Sequence, residues 1–236
     1  FDTAEVLSMI VKEFGAYSKK IGGYPTVYTE EPKQEGERRA TITRAGNTDI
    51  IGIAHKIPAA SHKDMPALLM LSFVLTEGKT SRLYRALIDS AKATSVSSMC
   101  YQFHDPSLLI TYVTLAPGVT HLAVENIVKD VYQKIIKEGI SASELARAKR
   151  MVRAYAATRR DGPYALLSSL NEEIAAGDWS RFVTLPKALA RVNAKTIQTV
   201  VAQYLLDSQS TVAYFKAIAE PSVEKRTRTK GKKKHL

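Results

Sequence analysis

The order in which strand-like and helix-like segments follow one another is the feature that most limits the folds open to this chain. The strand-like segments are rich in β-branched or aromatic residues: 39–45, 48–57, 94–103, 108–116 and 208–217. Helix-like segments fill 62–90 and most of 124–205, so strands come in pairs that are followed by helices. Strict alternation would predict a doubly wound parallel sheet. The order found here predicts an α+β fold in which helices layer an antiparallel sheet.

Two turn signals predict how the strands pair. Gly46-Asn47 separates the first two strands, and both residues tolerate the positive φ that a tight hairpin needs. His104-Asp105-Pro106-Ser107 separates the third and fourth strands. We therefore expect two hairpins, one at each of these turns.

Helix starts are predicted from capping patterns. Ser61 precedes Asp64 by three residues, and Ser141 precedes Glu144 by the same spacing in the sequence SASE. In a capping box the two side chains satisfy the free N–H groups of the first helical turn. We expect one helix over 62–77 and another that begins after Ser141.

The segment TEGKTSRLYRAL, residues 76–87, contains Gly78-Lys79-Thr80, which matches the end of the phosphate-binding loop motif. That loop needs a glycine five positions before Gly78, where this chain has Phe73 within a predicted helix. The segment is instead interpreted as a joint. The helix over 62–77 stops at Gly78. Thr80 or Ser81 then caps a second helix, which runs over 82–90.

The ends of the chain differ in composition from its middle. Residues 2–16 place Val6, Ile10 and Phe14 on one face of a short amphipathic helix. Residues 22–38 are rich in proline and charge and predict a linker, so we expect the main domain to span 39–220. The chain opens without methionine, which predicts a piece of a longer protein.

The formal net charge of +11 is concentrated in the predicted disordered tail, 221–236. Residues 224–236 hold seven Lys or Arg and one Glu. Such a tail could contact phosphate groups, but it carries no base-reading chemistry, so a nucleic-acid partner is a minor alternative. The longest apolar run, 67–75, is shorter than the roughly 18 residues that a membrane span needs, and it predicts a buried helix.

No pattern in the sequence predicts a catalytic or metal-binding residue. No two of the five histidines lie three or four residues apart, as a two-histidine zinc motif requires, and Cys100 is the single cysteine. His121 and Glu125 lie four residues apart, for which a surface ion pair on a helix is the simpler interpretation. We therefore expect no cofactor in this chain.

Three stretches together resemble the non-catalytic domain of the pitrilysin/insulinase zinc metallopeptidases. They are EEPKQEGERRATI at 30–42, LTEGKTSRLYRALIDSAKATSVS at 75–97 and EIAAGDWSRFVTLPKALARVNAKTIQTVVAQYL at 173–205. Residues 1–21 resemble the closing helix of that family's preceding, catalytic-type domain. In active relatives an Arg and a Tyr follow the Ser-Arg-Leu helix, and this chain has Ile88 and Ser95 at the matching positions.

The resemblance implies a domain that forms half of a chamber around an unfolded peptide and packs against a zinc-bearing peptidase domain. The zinc is expected in that partner domain, bond breaking is not expected in this chain, and the parent is expected to be a zinc metalloendopeptidase. Family habit favours the periplasm, and a homodimer is an open option. Gly78, Ser81, Arg82 and Leu83 are the expected structural motif, with Arg82 at an interface or ordering the joint. The alternative is a proteolytically inactive structural subunit, like the core proteins of respiratory cytochrome reductase.

Overall fold

A computed structural model of the chain describes residues 1–17 and 31–218. The chain divides into two compact units, Phe1–Lys33 and Gln34–Leu236. The elements in chain order are α1 (Thr3–Phe14), β1 (Arg38–Ala45), β2 (Ile50–Ile57), α2 (Met65–Thr76), a π-helix (Tyr84–Ile88), β3 (Ala93–Cys100), β4 (Ser107–Leu115), α3 (His121–Glu138), α4 (Ala142–Thr158), α5 (Pro163–Ala175), α6 (Arg181–Arg191), α7 (Ala194–Tyr204), a 3₁₀ turn (Asp207–Gln209) and β5 (Ser210–Ile218). Much of the predicted linker and all of the basic tail lie outside the described residues.

The strands form one sheet in the order β1-β5-β2-β4-β3. Neighbours run antiparallel except β1 and β5, which are parallel. The α+β fold and the β3–β4 hairpin are confirmed. The predicted hairpin between β1 and β2 is wrong, because β5 lies between them and Gly46 donates its N–H to the Ile218 carbonyl at 3.1 Å. A local turn signal carries no information about a strand that arrives from the far end of the chain.

The core lies between one face of the sheet and the helical layer. Side chains alternate along β2 and β4, so that Ile51, Ile53, Leu109 and Val113 are fully buried on the same face. They join helical residues in one hydrophobic cluster. Helices α2, α3 and α7 and the π-helix supply the main contacts with the strands.

Helix α2 is the central helix of this layer. It contacts β3, α4, α6 and α7, and most of its residues are buried, which explains why its sequence is apolar on every side. The predicted buried helix is thus confirmed. None of the described helices combines the length and apolar character needed to cross a lipid bilayer.

The two predicted capping boxes have different outcomes. At α4 the Ser141 hydroxyl accepts from the Glu144 N–H at 3.2 Å, and the Glu144 carboxylate accepts from the Ser141 N–H at 2.7 Å. The box at Ser61 and Asp64 is wrong, since α2 begins only after Asp64. The Asp64 carboxylate instead accepts a hydrogen bond from the Tyr204 hydroxyl at 2.9 Å, which joins α7 to the start of α2.

Helix α1 belongs to the first unit and is confirmed as an amphipathic helix. The Asp2 carboxylate accepts from the N–H groups of Ala4 and Glu5, at 2.8 and 3.0 Å, and so caps the first turn. No residue of α1 is buried, and apolar side chains are left exposed: Leu7, Met9, Ile10, Val11 and Phe14. These exposed side chains give α1 its apolar face.

Candidate functional site

The face of the sheet opposite the helices is open. Ile42, Met99, Leu108 and Tyr112 project from it on β1, β3 and β4, with exposed fractions between 38% and 48%. The ring of Tyr112 lies over Gly52, where an added Cβ would come within 3.5 Å of it. We use the name open face for the apolar surface that consists of these four exposed residues and β2 with Gly52.

The Gly78–Leu83 joint follows α2 at the edge of the helical layer. Gly78 adopts a φ of +80°, which L-residues with side chains rarely accept, and its carbonyl accepts the Ser81 N–H at 3.0 Å. Leu83 is fully buried in the core. The Ser81 hydroxyl is also buried and has no hydrogen-bond partner in the described part of the chain, so its predicted role as a helix cap is wrong.

The predicted α-helix over 82–90 is replaced largely by the π-helix. Its wider turn appears in the hydrogen bonds from the Asp89 N–H to the Tyr84 carbonyl at 3.2 Å and from the Lys92 N–H to the Leu87 carbonyl at 2.8 Å. Sequence periodicity over a single turn cannot distinguish this winding from an α-helix.

Arg82 connects the joint to the turn between α3 and α4. Its Nε donates to the Glu144 carboxylate at 2.6 Å, and its Nη2 donates to the same carboxylate and to the Gly139 carbonyl, each at 2.9 Å. The pair is bidentate, and both side chains are about one-fifth exposed. Glu144 therefore serves two structures at once, the cap of α4 and the bond to the joint.

The charge of Glu144 is strongly favoured in this setting. The hydrogen bond from Arg82 outweighs partial burial and, with the bonds from Ser141, lowers the pKa of Glu144 to about 2. The carboxylate is therefore ionised throughout the neutral and mildly acidic range.

A second polar cluster joins β1 and β5 to α3. Glu125 is only 1% exposed, and its carboxylate accepts hydrogen bonds from Arg39 at 2.5 and 3.1 Å and from Tyr214, while Lys129 lies 2.8 Å away. Glu37 completes the cluster: its carboxylate oxygens lie 2.7 Å from the Lys129 Nζ and 2.5 Å from the Arg39 Nε. The first strand of the domain is thereby fixed to the helical layer.

The cluster is satisfied electrostatically. Burial alone would raise the pKa of Glu125, but hydrogen bonds from Arg39, Lys129 and Tyr214 prevail and lower it to about 2. Hydrogen bonds with Glu125, Tyr214 and Glu37 raise the pKa of Arg39 against the opposing effect of its burial. Each charge in the cluster has a partner of opposite sign, as a structural ion network requires.

The proposed surface pair of His121 and Glu125 is wrong. Both side chains are buried, and each has other partners: a ring nitrogen of His121 lies 2.9 Å from the Phe215 carbonyl, and Glu125 faces Arg39. The signal that could have located Glu125 is its place on the apolar stripe of α3, beside Val124 and Val128. A carboxylate on a buried stripe indicates paired cations nearby.

Ile88 and Ser95, which the resemblance matches to an Arg and a Tyr, are an apolar side chain and a hydroxyl. Ile88 ends the π-helix and packs against the core, and the Ser95 hydroxyl donates to the Thr114 hydroxyl at 2.8 Å. Within residues 1–17 and 31–218, no group of three or more His, Cys, Asp or Glu side chains is placed to hold a metal ion. Burial raises the pKa of the Cys100 thiol to about 12, which opposes thiolate chemistry.

The first 152 residues match the family described as the peptidase M16 inactive domain. The chain belongs to this family. The resemblance to non-catalytic domains of insulinase-type zinc peptidases is thus confirmed. Zinc protease PqqE of Helicobacter pylori (strain ATCC 700392 / 26695) is 27% identical to this inactive-domain chain over 194 residues, which cover 81% of the chain and 44% of PqqE.

Solved structures agree with the family assignment. A protease from Helicobacter pylori superposes with a TM-score of 0.84 at 25% identity, over 92% of this chain and 53% of the other. The inactive peptidase domain of a putative zinc protease from Bordetella parapertussis gives 0.69 at 23% identity, over 78% of this chain and 98% of that domain. A chain of complex III2 from Candida albicans gives 0.73 at 14% identity, over 92% and 53%, which shows the fold alone.

The chain spans about half the length of the relatives that it matches in Helicobacter pylori. These relatives therefore contain as much sequence again beyond the part that this domain resembles.

Proposed function

We propose that this M16 inactive domain forms one wall of a peptide-enclosing chamber, with its open face directed at the substrate and a zinc-bearing peptidase domain opposite. The observation that carries this proposal is the one-sided sheet. The helices fill one face, while Ile42, Met99, Leu108 and Tyr112 leave the other apolar and accessible. Such a surface suits an unfolded peptide, whose apolar side chains it can contact without reading a particular sequence.

The proposed division of labour follows from the residues of this domain. Ile88 and Ser95 offer neither a cation nor a phenol to a scissile carbonyl, which supports assigning the bond-breaking groups and the zinc to the partner domain. The contribution of this chain is binding and enclosure. The parent would then be a zinc metalloendopeptidase, with a periplasmic location and a homodimeric state as remaining predictions.

Helix α1 supports the proposal that residues 1–21 close the preceding catalytic-type domain. Its exposed apolar residues, Leu7, Ile10, Val11 and Phe14, need a hydrophobic surface to cover them. The final helix of a neighbouring domain has such a surface in its own core. Helix α1 would then carry the covalent connection between the two walls of the chamber.

Arg82 is proposed to order the joint within this wall. Its bonds to Glu144 and Gly139 hold the start of the π-helix against the turn between α3 and α4. The π-helix leads directly into β3, an edge strand of the sheet. Arg82 would therefore keep the edge of the open face in place.

The open face is tested by placing a charge on it in the full-length parent. Tyr112→Asp should raise the KM for an unfolded protein substrate about tenfold, since an apolar contact area is replaced by a solvated carboxylate. Leu122→Asp is the matched control, because Leu122 is 58% exposed on α3, on the helical side. Equal KM values for both variants, with folding intact, would contradict the proposed position of the substrate.

The isolated chain tests the assignment of the chemistry. Purified and incubated with zinc, the chain alone should cleave no peptide. A mixture of this chain with the zinc-bearing domain should cleave peptide, and a chelator should abolish that cleavage. Chelator-sensitive cleavage by this chain alone would overturn the assignment. An inactive structural subunit is the second candidate, favoured by Ile88 and Ser95, and a parent and partner without a zinc motif would decide for it.

A further inference from the structure

A basic cleft lies beside the Arg82 joint, on the helical side of the domain. It has a volume of about 670 Å³ and is lined by the start of the π-helix, the C-terminal half of α3 and the first turns of α4. Four cationic side chains border it: Arg85, Lys134, Arg147 and Arg150. We use the name basic cleft for this cavity and these four residues.

The charges in the basic cleft do not balance. Arg82 and Glu144 also line the cavity, but they neutralise each other as a bidentate pair. Glu138 is the remaining carboxylate of the lining, which leaves four cations against one anion, a surplus of three. Within the described part of the chain, Arg85, Lys134 and Arg150 form no ion pair with a carboxylate.

Arg147 shows that the surplus is costly to the domain. Its Nη1 donates to the Glu77 carbonyl, but its Nη2 is buried and has no hydrogen-bond partner in the described residues. Buried polar atoms are normally paired, so this guanidinium is left incomplete. Burial, together with repulsion from Arg85 and Arg150, lowers the pKa of Arg147 against the attraction of the nearby Glu144. An anion in the cleft would relieve this repulsion.

We propose that the basic cleft binds a soluble phosphate-bearing anion with at least two negative charges. Three of the four cations are guanidinium groups, whose forked donors match the oxygens of phosphate. A single carboxylate would leave most of the surplus uncompensated, whereas a diphosphate or triphosphate would balance it within the volume of the cavity. The Thr80 and Ser143 hydroxyls, which also line the cleft, add neutral donors.

Such a site would be separate from the open face. The cleft belongs to the helical layer, and it adjoins Gly78 through Arg147, whose Nη1 lies 3.8 Å from the position of a Cβ on Gly78. Anion binding would thus act on the same joint that Arg82 holds, and it does not depend on the proposed peptidase role.

The test is a calorimetric titration of the full chain with inorganic pyrophosphate and with tripolyphosphate. We expect saturable binding with one site per chain, which weakens as salt is added. Arg85→Gln and Arg150→Gln should each lower the affinity about tenfold, as expected for the loss of one charge-assisted hydrogen bond. Both side chains are exposed and form no ion pair within residues 1–17 and 31–218, so these variants should fold.

Two controls separate the cleft from unspecific charge. Arg153→Gln removes an equal charge from an exposed position on α4 outside the cleft and should leave the affinity unchanged. A chain that ends at residue 223 lacks the basic tail and should retain binding. No binding of either phosphate probe, equal losses in Arg153→Gln, loss on removal of the tail, or tighter binding of poly-glutamate than of tripolyphosphate would each overturn the proposal.

Discussion

Replacement of Arg82 by alanine offers the sharpest test of the joint, because the structure shows which bonds would be lost. The substitution removes the two hydrogen bonds to Glu144 and the one to the Gly139 carbonyl. Charged hydrogen bonds contribute about 1.5–3 kcal/mol when buried and ion pairs about 0.2–1 kcal/mol when exposed. Both side chains here are about one-fifth exposed, so the loss should be about 2 kcal/mol.

The assay is urea unfolding of the full chain at pH 7. With an m-value of about 2 kcal/mol per molar urea, a loss of about 2 kcal/mol moves the midpoint down by about 1 M. Arg153→Ala is the control, since Arg153 is exposed on α4 and forms no ion pair among the described residues. Its free energy of unfolding should stay within about 0.5 kcal/mol of the parent chain.

The pH dependence supplies an independent check. The pKa of Glu144 is lower in the folded chain, at about 2, than its ordinary value of 4.5. The stabilisation is therefore fully present above the ordinary pKa and is lost as the pH falls toward 2. The difference between Arg82→Ala and the parent chain should shrink between pH 5 and pH 3. A midpoint shift below about 0.25 M at pH 7, or one that stays constant down to pH 3, would refute the assigned role.

Three further predictions concern buried groups. Glu125→Gln should lower the free energy of unfolding by about 3 kcal/mol at pH 7, because Arg39 and Lys129 keep their charges but lose a buried partner, and calorimetry of the two chains would measure this. The Cys100 thiol should react slowly with a disulfide reagent at pH 8 and rapidly in urea, since burial raises its pKa to about 12; fast reaction of the folded chain would contradict the structure. The ring of His55 should titrate near pH 4 by NMR, because burial and the nearby Lys129 lower its pKa to about 4, and a midpoint near 6.5 would show that the ring is solvated.

Several local patterns in the sequence predicted local structure correctly. The capping box at Ser141, the apolar helix α2 and the β3–β4 hairpin each depend on residues close together in the chain, and each is confirmed. Their stabilising contacts form within a few residues, so the residue types alone carry the signal.

Some local predictions also failed, namely the Ser61–Asp64 box, the Ser81 cap and the α-helix over 82–90. The other failures concern contacts between distant residues. The Gly46 turn predicted a hairpin, yet β1 pairs with β5, and Arg38 lies opposite Thr211. Glu125 was interpreted as a surface residue, although Arg39 and Tyr214 come to it from the two ends of the domain. A single sequence shows neither which strand fills a gap in a sheet nor which cation reaches a buried carboxylate.

The candidate site divides in the same way. Gly78 and Leu83 could be located from the pattern of the joint, since a positive φ favours glycine and a buried position favours an apolar residue. The bonds of Arg82 to Glu144 and Gly139 could not, because they cross about 60 residues of chain. The basic cleft was missed for the same reason, as its cations come from three separate elements.

The place of β5 also governs the order in which the domain can be assembled during synthesis. Strand β1 is synthesised before the other strands of the sheet, and its partner β5 follows 173 residues later, since Arg38 pairs with Thr211. At a synthesis rate of about 5–20 residues per second that interval is roughly 10 to 30 seconds, during which β1 has no native neighbour. Until β5 has been synthesised, β1 therefore lacks its native neighbour in the sheet and can pair with other extended segments.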